Sequence, residues 1–211
     1  MVNTDGNPLL LKARRHLVRR DPVLKKLIAK VGDCTVRFNS DRFGVLARSI
    51  VSQQISSKAA ASISGRLEQL LGGAGISAEG ILAVSEEALR AVGLSAAKAR
   101  SVRDLAEKVR EGLVPLDTLH ELPDEDVVQR LLPVRGIGRW TAEMFLIFSL
   151  GRLDVLPIRD FGLREGVRRQ YNLPEQPGKE KLVELAEPWR PYRSIATWFL
   201  WRSFGPVPQS S

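Results

Sequence analysis

The chain has 211 residues, 44% of them hydrophobic, with 32 basic against 24 acidic side chains, a net charge of +8 and a pI of about 10.1. That length and apolar content fit one packed domain or two small interlocked lobes, and the basic excess points to a polyanionic partner without fixing a fold. The single cysteine, Cys34, excludes an intrachain disulfide and a four-cysteine iron–sulfur cluster. No apolar run is long enough to cross a bilayer, and Leu9-Leu10-Leu11 is too short for a secretory signal core. A soluble monomer of the cytoplasm, nucleoid-associated in a bacterium, is the expectation.

Residues 1–7 are expected to be loosely packed. From Pro8 to about Arg20 the apolar spacing is helical, with five basic residues between the apolar ones. Asp21-Pro22 starts a second helix, Asp as N-cap and Pro at the first position, which runs to Gly32. Cys34 to Phe38 reads as an extended connector. Ser40 or Asp41 caps the next helix, whose buried stripe is Phe43, Leu46, Ala47, Ile50 and Val51. Two glutamines, Gln53 and Gln54, separate it from an alanine-rich helix that Ser56 or Ser57 caps and that reaches Leu71. Ser85-Glu86-Glu87 opens a short helix ending at Gly93, and Leu94-Ser95 opens a longer one reaching about Gly112. Lys98, Arg100 and Arg103 near its start are candidate phosphate contacts. Asp117 and Pro123-Asp124 begin further short helices.

Pro133 then stops a short apolar helix, because proline cannot continue one. Gly136 and Gly138 allow a tight turn, and Trp140, Met144, Phe145, Ile147 and Phe148 mark a new helix at once. The opening N–H groups of that helix lack internal partners and carry partial positive charge, so the turn can hold an anion such as a backbone phosphate. Asp160 stands where an N-cap belongs, ahead of a helix from Phe161 to about Gln170. Residues 178–187 and 191–203 are the last two helices, and Pro206 and Pro208 end the ordered chain. Almost nothing alternates with period two, so the fold reads as all-α, with about nine or ten helices and no domain linker.

The stretch from Leu131 to Glu143 resembles the helix-hairpin-helix motif of DNA repair glycosylases. The likeness extends through Leu156-Pro157-Ile158-Arg159-Asp160-Phe161-Gly162, Ile50-Val51-Ser52-Gln53-Gln54-Ile55-Ser56 and Trp189-Arg190-Pro191-Tyr192-Arg193-Ser194. Together these resemble the 3-methyladenine DNA glycosylase II branch, AlkA-like and yeast-type, from about Asp41 to Phe204. The resemblance implies one glycosylase domain over residues 1–211, built of two interlocked helical lobes with a cleft between them and a hairpin motif at 124–150. The N-terminal mixed α/β domain of longer AlkA-like enzymes is not expected, which implies a more open cleft and a preference for positively charged lesions.

It also implies an activity: a monofunctional glycosylase that hydrolyses the N-glycosidic bond of alkylated bases, such as 3-methyladenine and 7-methylguanine, in double-stranded DNA during base excision repair. Asp160, 22 residues beyond Gly138, would be the catalytic carboxylate. The amides at a helix start would keep it ionised to stabilise an oxocarbenium-like transition state. Trp140 and Trp201 would line the base pocket, with Trp189 and Trp198 in the core. Trp140 stands where bifunctional members carry a lysine, which favours hydrolysis over strand cleavage. Gln54, with Gln53 beside it, would fill the gap left by the extruded base. Gly136, Gly138, Arg139 and Thr141 would bind phosphate. The backbone carbonyls of Leu132, Val134 and Ile137 would be the place for a structural sodium or potassium ion, no cofactor being required. Arg193 is expected to be structural. A non-catalytic hairpin module that binds damaged or branched DNA is the competing reading, and a glycosylase-lyase for oxidised bases is a third.

Overall fold

The computed structural model describes residues 7–204, so the expectations for the first six residues and for Pro206 and Pro208 lie outside the described residues. Twelve α-helices occupy them and no strand does. In chain order these are α1 (Pro8–Arg20), α2 (Pro22–Val31), α3 (Arg42–Ser52), α4 (Ser57–Leu70), α5 (Ala78–Ala83), α6 (Glu86–Ala91), α7 (Ala96–Arg110), α8 (Asp124–Leu131), α9 (Arg139–Phe148), α10 (Phe161–Gln170), α11 (Lys179–Ala186) and α12 (Arg193–Arg202). Single 3₁₀ turns cover Leu119–Glu121 and Glu187–Trp189. None of the described helices is long and apolar enough to cross a membrane.

Capping chemistry sets most of these starts. Asp21, Asp41, Ser56, Ser85, Ser95 and Asp160 each accept an amide of the first turn with the side chain. Two expectations shift. The helix α5, capped by Ser77, was not expected, because six residues interrupted by Gly80 carry little periodic signal. Asp117 starts no helix; its carbonyl and that of Leu116 accept Arg42 Nη1 at 2.9 and 2.5 Å, and only a 3₁₀ turn follows.

The chain divides into two compact units, one drawn from Met1–Phe38 and Leu146–Gln209, the other from Asn39–Phe145. In the first, α12 is buried around its whole circumference, every residue from Ser194 to Trp201 included, with Ser194 and Thr197 the polar members of that run. It packs with α1, α2 and α10, which contribute Leu17, Leu24, Ile28, Leu163 and Val167. In the second, α3 and α7 carry the core with Leu46, Ile50, Val102 and Leu105. Hydrophobic burial supplies the drive in both, and the helix periodicity decides which side chains take part.

One buried polar cluster ties the ends of the first unit together. Asp21 is 5% exposed. Its Oδ1 caps α2 through Val23 N and Leu24 N at 2.8 and 2.9 Å. Its Oδ2 accepts Trp189 Nε1 at 2.9 Å and the Tyr171 hydroxyl. Burial first, and then the bond to Asp21, push the Tyr171 phenol well above its usual range, so it stays a donor. Trp189 and Trp198 are both buried, as expected for core aromatics.

Replacing Asp21 by alanine removes a cap and takes the acceptor from the Tyr171 hydroxyl, leaving Trp189 Nε1 only the Tyr171 oxygen at 3.3 Å, so Asp21→Ala is expected to cost about 3 kcal/mol in urea unfolding. A loss below about 1 kcal/mol, the cap alone, would show that the buried cluster contributes nothing.

Candidate active site

In the first unit the segment after α9 is stitched to the start of α12. Ser194 Oγ accepts Val155 N and donates to Arg152 O at 2.9 and 2.7 Å, and Ser194 N donates to Leu153 O at 2.9 Å. Arg193, expected to be structural, grips Asp154 Oδ1 and Oδ2 at 2.8 and 3.0 Å. This bracing delivers the chain to Pro157 and then to Asp160, whose N–H donates back to Pro157 O at 2.9 Å.

Asp160 is the N-cap of α10 and only 6% exposed. Its Oδ1 accepts Leu163 N at 2.5 Å and Trp201 Nε1 at 2.7 Å. Two donors on one oxygen fix the plane of the carboxylate. Gly162 makes the second donor possible: a Cβ there would stand 2.9 Å from Trp201 Cδ1 and 3.1 Å from its Nε1. One turn on, a Cβ at Gly166 would stand 3.0 Å from the Leu200 carbonyl oxygen. The two glycines give α10 a flat face on which α12 can lie. Trp201, expected to line the base pocket, is 2% exposed, stacked on Phe148 at 5.9 Å, with its N–H given to Asp160. Phe161, next to the acid, is 70% exposed.

The hairpin belongs to the second unit. Gly136 has φ +80°, and a Cβ there would meet Ser101 Oγ at 2.9 Å, so both backbone and space demand glycine. Gly138 differs. Its φ is not positive, and an added Cβ would meet nothing within 4 Å. Its carbonyl accepts Ala142 N at 3.0 Å and so opens α9. It precedes the first residue of α9 and has no side chain to offer the first amides of that helix. Arg139 is held in a fork by Glu125 at 3.0 and 2.6 Å, and that bond keeps the Glu125 carboxyl down at about 2. The pair is therefore intact above the ordinary glutamate range and is lost only as pH falls toward 2. Thr141 is 5% exposed, so its hydroxyl is turned into the protein rather than offered at the surface. Trp140 is 40% exposed in the first turn of α9. The Val134 carbonyl accepts Ile137 N at 3.0 Å, which uses one of its lone pairs.

The glutamine loop lies in the same unit. Gln53 Nε2 donates to Gly136 O at 2.8 Å, tying loop to hairpin. Gln54 is exposed, with φ +58°, at the tip. Lys98, expected at a phosphate, instead donates to Val51 O and Gln53 O at 2.7 Å each and closes the end of α3. Arg103 likewise serves Val84 O at 2.6 Å. Arg100 stays half exposed, 3.9 Å from Glu86.

The structure thus gathers Asp160, Trp201 and Gly162 in one unit and the hairpin, Gln53 and Gln54 in the other. Gly162, Ser101, Glu125 and the real role of Lys98 escaped sequence reasoning. Gly162 left one signal, a glycine inside a helix where alanine would be favoured by about 1 kcal/mol.

Residues 47–191 match the family described as HhH-GPD superfamily base excision DNA repair protein. The chain is 37% identical over 199 residues to DNA-3-methyladenine glycosylase 1 of Schizosaccharomyces pombe, covering 92% of this chain and 87% of that protein. It is 30% identical to the alkylbase DNA glycosidase-like protein mag2 of the same organism, covering 90% and 92%. Among solved structures, the S. pombe 3-methyladenine DNA glycosylase in complex with abasic DNA superposes with a TM-score of 0.80 at 37% identity, over 91% of this chain and 96% of that one. The DNA-3-methyladenine glycosidase of Bacillus halodurans gives 0.84 at 38% identity, over 100% and 95%.

The two glycines should part under substitution. Gly136→Ala is expected to lose about 1–2 kcal/mol on thermal unfolding, the cost of a left-handed backbone at a residue with a Cβ. Gly138→Ala should stay within about 0.5 kcal/mol of the parent protein. Equal losses would mean that Gly138 is also held by the fold.

Proposed function

Because the chain belongs to the HhH-GPD superfamily of base excision DNA repair proteins, we propose that it is a monofunctional DNA glycosylase that hydrolyses alkylated bases, 3-methyladenine and 7-methylguanine, from double-stranded DNA. The observation that carries the reading is the bond from Trp201 Nε1 to Asp160 Oδ1 with Gly162 clearing the way for it. A cap needs only amides. Here a second donor, brought from another helix, fixes the acid's direction.

The damaged nucleotide leaves the stack before its bond can be reached, at a cost of a few kcal/mol that a damaged pair lowers. Its C1′ comes to the Asp160 carboxylate, whose charge stabilises the oxocarbenium-like transition state and orients the attacking water. Leu163 N–H and Trp201 Nε1–H hold that carboxylate still while charge develops. An alkylated purine already carries positive charge, so no second carboxyl is needed to protonate the leaving group. The exposed ring of Trp140 stacks on the electron-poor base. As it is not a lysine, no Schiff base forms and water completes the reaction.

Gln54 fills the vacated gap, and Gln53 holds the loop to Gly136 while it does so. The start of α9, where Gly138 puts no side chain in the way, takes a backbone phosphate. Arg139 adds charge to it, shared with Glu125. A sodium or potassium ion on the carbonyls of Leu132, Val134 and Ile137 fits the lone pair that Val134 keeps, and its charge would draw a phosphate to the turn.

The test is chromatography of bases freed from DNA carrying defined lesions. Release of 3-methyladenine and 7-methylguanine, with no borohydride-trapped adduct, is the expected result. Tight binding to abasic duplex without release of any base would leave a DNA-binding module, and a trapped adduct would mean lyase chemistry.

A further inference from the structure

The basic excess is not where the hairpin is. Residues 39–145, the hairpin's unit, carry 13 basic and 14 acidic side chains, whereas the rest of the chain carries 19 and 10. Most of that surplus lies in α1 and α2, residues 8–31, with eight basic residues against the single acid Asp21. Asp21 is buried and engaged with Trp189 and Tyr171. The first helix alone has no acidic residue.

Lys12, Arg15, His16 and Arg19 follow one another at helical spacing on one face of α1. With Tyr192 they line a hollow of about 300 Å³. Its floor is fixed: the His16 ring stands edge-on to Tyr192 at 5.3 Å, with Nε2 within 3.3 Å of Pro188 O. Its rim is charged, since Lys12, Arg15 and Arg19 are exposed and no ion pair among the described residues engages them. The ion pair on α1 is Arg14 with Asp33, at 3.6 Å. Like charges three and four residues apart repel along a helix, so this face is destabilising unless an anion sits on it.

We propose that the Lys12–Arg15–Arg19 face of α1 is a second nucleic-acid contact, a site that takes a backbone phosphate apart from the hairpin. The inference rests on the reading of the protein as a DNA enzyme and adds where its sequence-independent affinity arises. Arginine forks grip phosphate oxygens in pairs, and lysine adds a point charge. Neutralising phosphates releases counterions, which favours binding whatever the sequence.

The probe is an undamaged duplex, with binding followed by fluorescence anisotropy across a range of KCl. The variant Lys12→Gln/Arg15→Gln/Arg19→Gln should flatten the plot of log affinity against log salt by about one to three units, because each phosphate contact contributes about 0.9. A control of equal charge loss, Arg110→Gln/Lys179→Gln/Lys181→Gln, should change it little. The charge-keeping variant Lys12→Arg/Arg15→Lys/Arg19→Lys should restore the slope, and circular dichroism melting reports folding for all three. An unchanged slope in the α1 variant, or an equal change in the control, overturns the proposal. So does a His16 NMR shift with inorganic phosphate but no effect on duplex binding, since the hollow would then serve a small anion. The probe carries no lesion. A protein that frees no base yet shows the flattened slope would overturn the glycosylase reading and leave this one standing.

Discussion

The site depends on one hydrogen bond, from the indole of Trp201 to the carboxylate of Asp160. It joins the last helix to the start of α10 and exists because position 162 has no side chain. A methyl group there would meet the indole ring at 2.9 Å, so helix packing and the aim of the acid are set by the same missing atoms. The rest of the first unit supports this contact. The buried run Ser194 to Trp201 of α12 presents Trp201, and the Asp154–Arg193 pair holds the segment that delivers Asp160. A carboxylate that is nearly buried yet doubly bonded cannot swing away, which is what electrostatic stabilisation of a short-lived cation requires.

The second unit spends its polar groups differently. Lys98 closes the end of α3, Gln53 reaches Gly136, and Asp104 accepts Arg135 N at 2.7 Å, so the glutamine loop and the hairpin are built as one braced surface. Its charges nearly cancel, and its hairpin sets a glycine without a side chain before α9 and an arginine already oriented by Glu125. Long-range attraction would then come from the other unit's basic helices and local fit from the hairpin.

Much of this was legible in the sequence, for reasons that differ by residue. Asp21, Asp41 and Asp160 announced helix starts because a short acid before an apolar run has few other places to be. Trp189 and Trp198 were left for the core once the resemblance had placed Trp140 and Trp201 in the pocket, and both are buried. What did not show was pairing across sequence distance. Nothing near Trp201 in the chain says that its N–H meets an acid 41 residues earlier, so it read as a pocket wall. Lys98 read as a phosphate ligand because a lysine near a helix start looks the same whether it faces solvent or a carbonyl 45 residues away. The helix α5 was invisible because six residues are too few to display a period. Gly136 and Gly138 looked alike as letters, and only the backbone and its neighbours separate a glycine the fold needs from one it merely permits.

The central claim is that a fixed carboxylate at position 160 performs chemistry as well as capping. The most direct measurement is the single-turnover rate of 3-methyladenine release by Asp160→Asn, alongside its affinity for abasic duplex. Asparagine keeps an oxygen to accept Leu163 N–H and Trp201 Nε1–H, so the fold and the grip on DNA should survive. The account predicts release slowed by a factor of about 100 or more, with affinity held within about threefold. Release at the rate of the parent protein would contradict it and leave Asp160 as a helix cap.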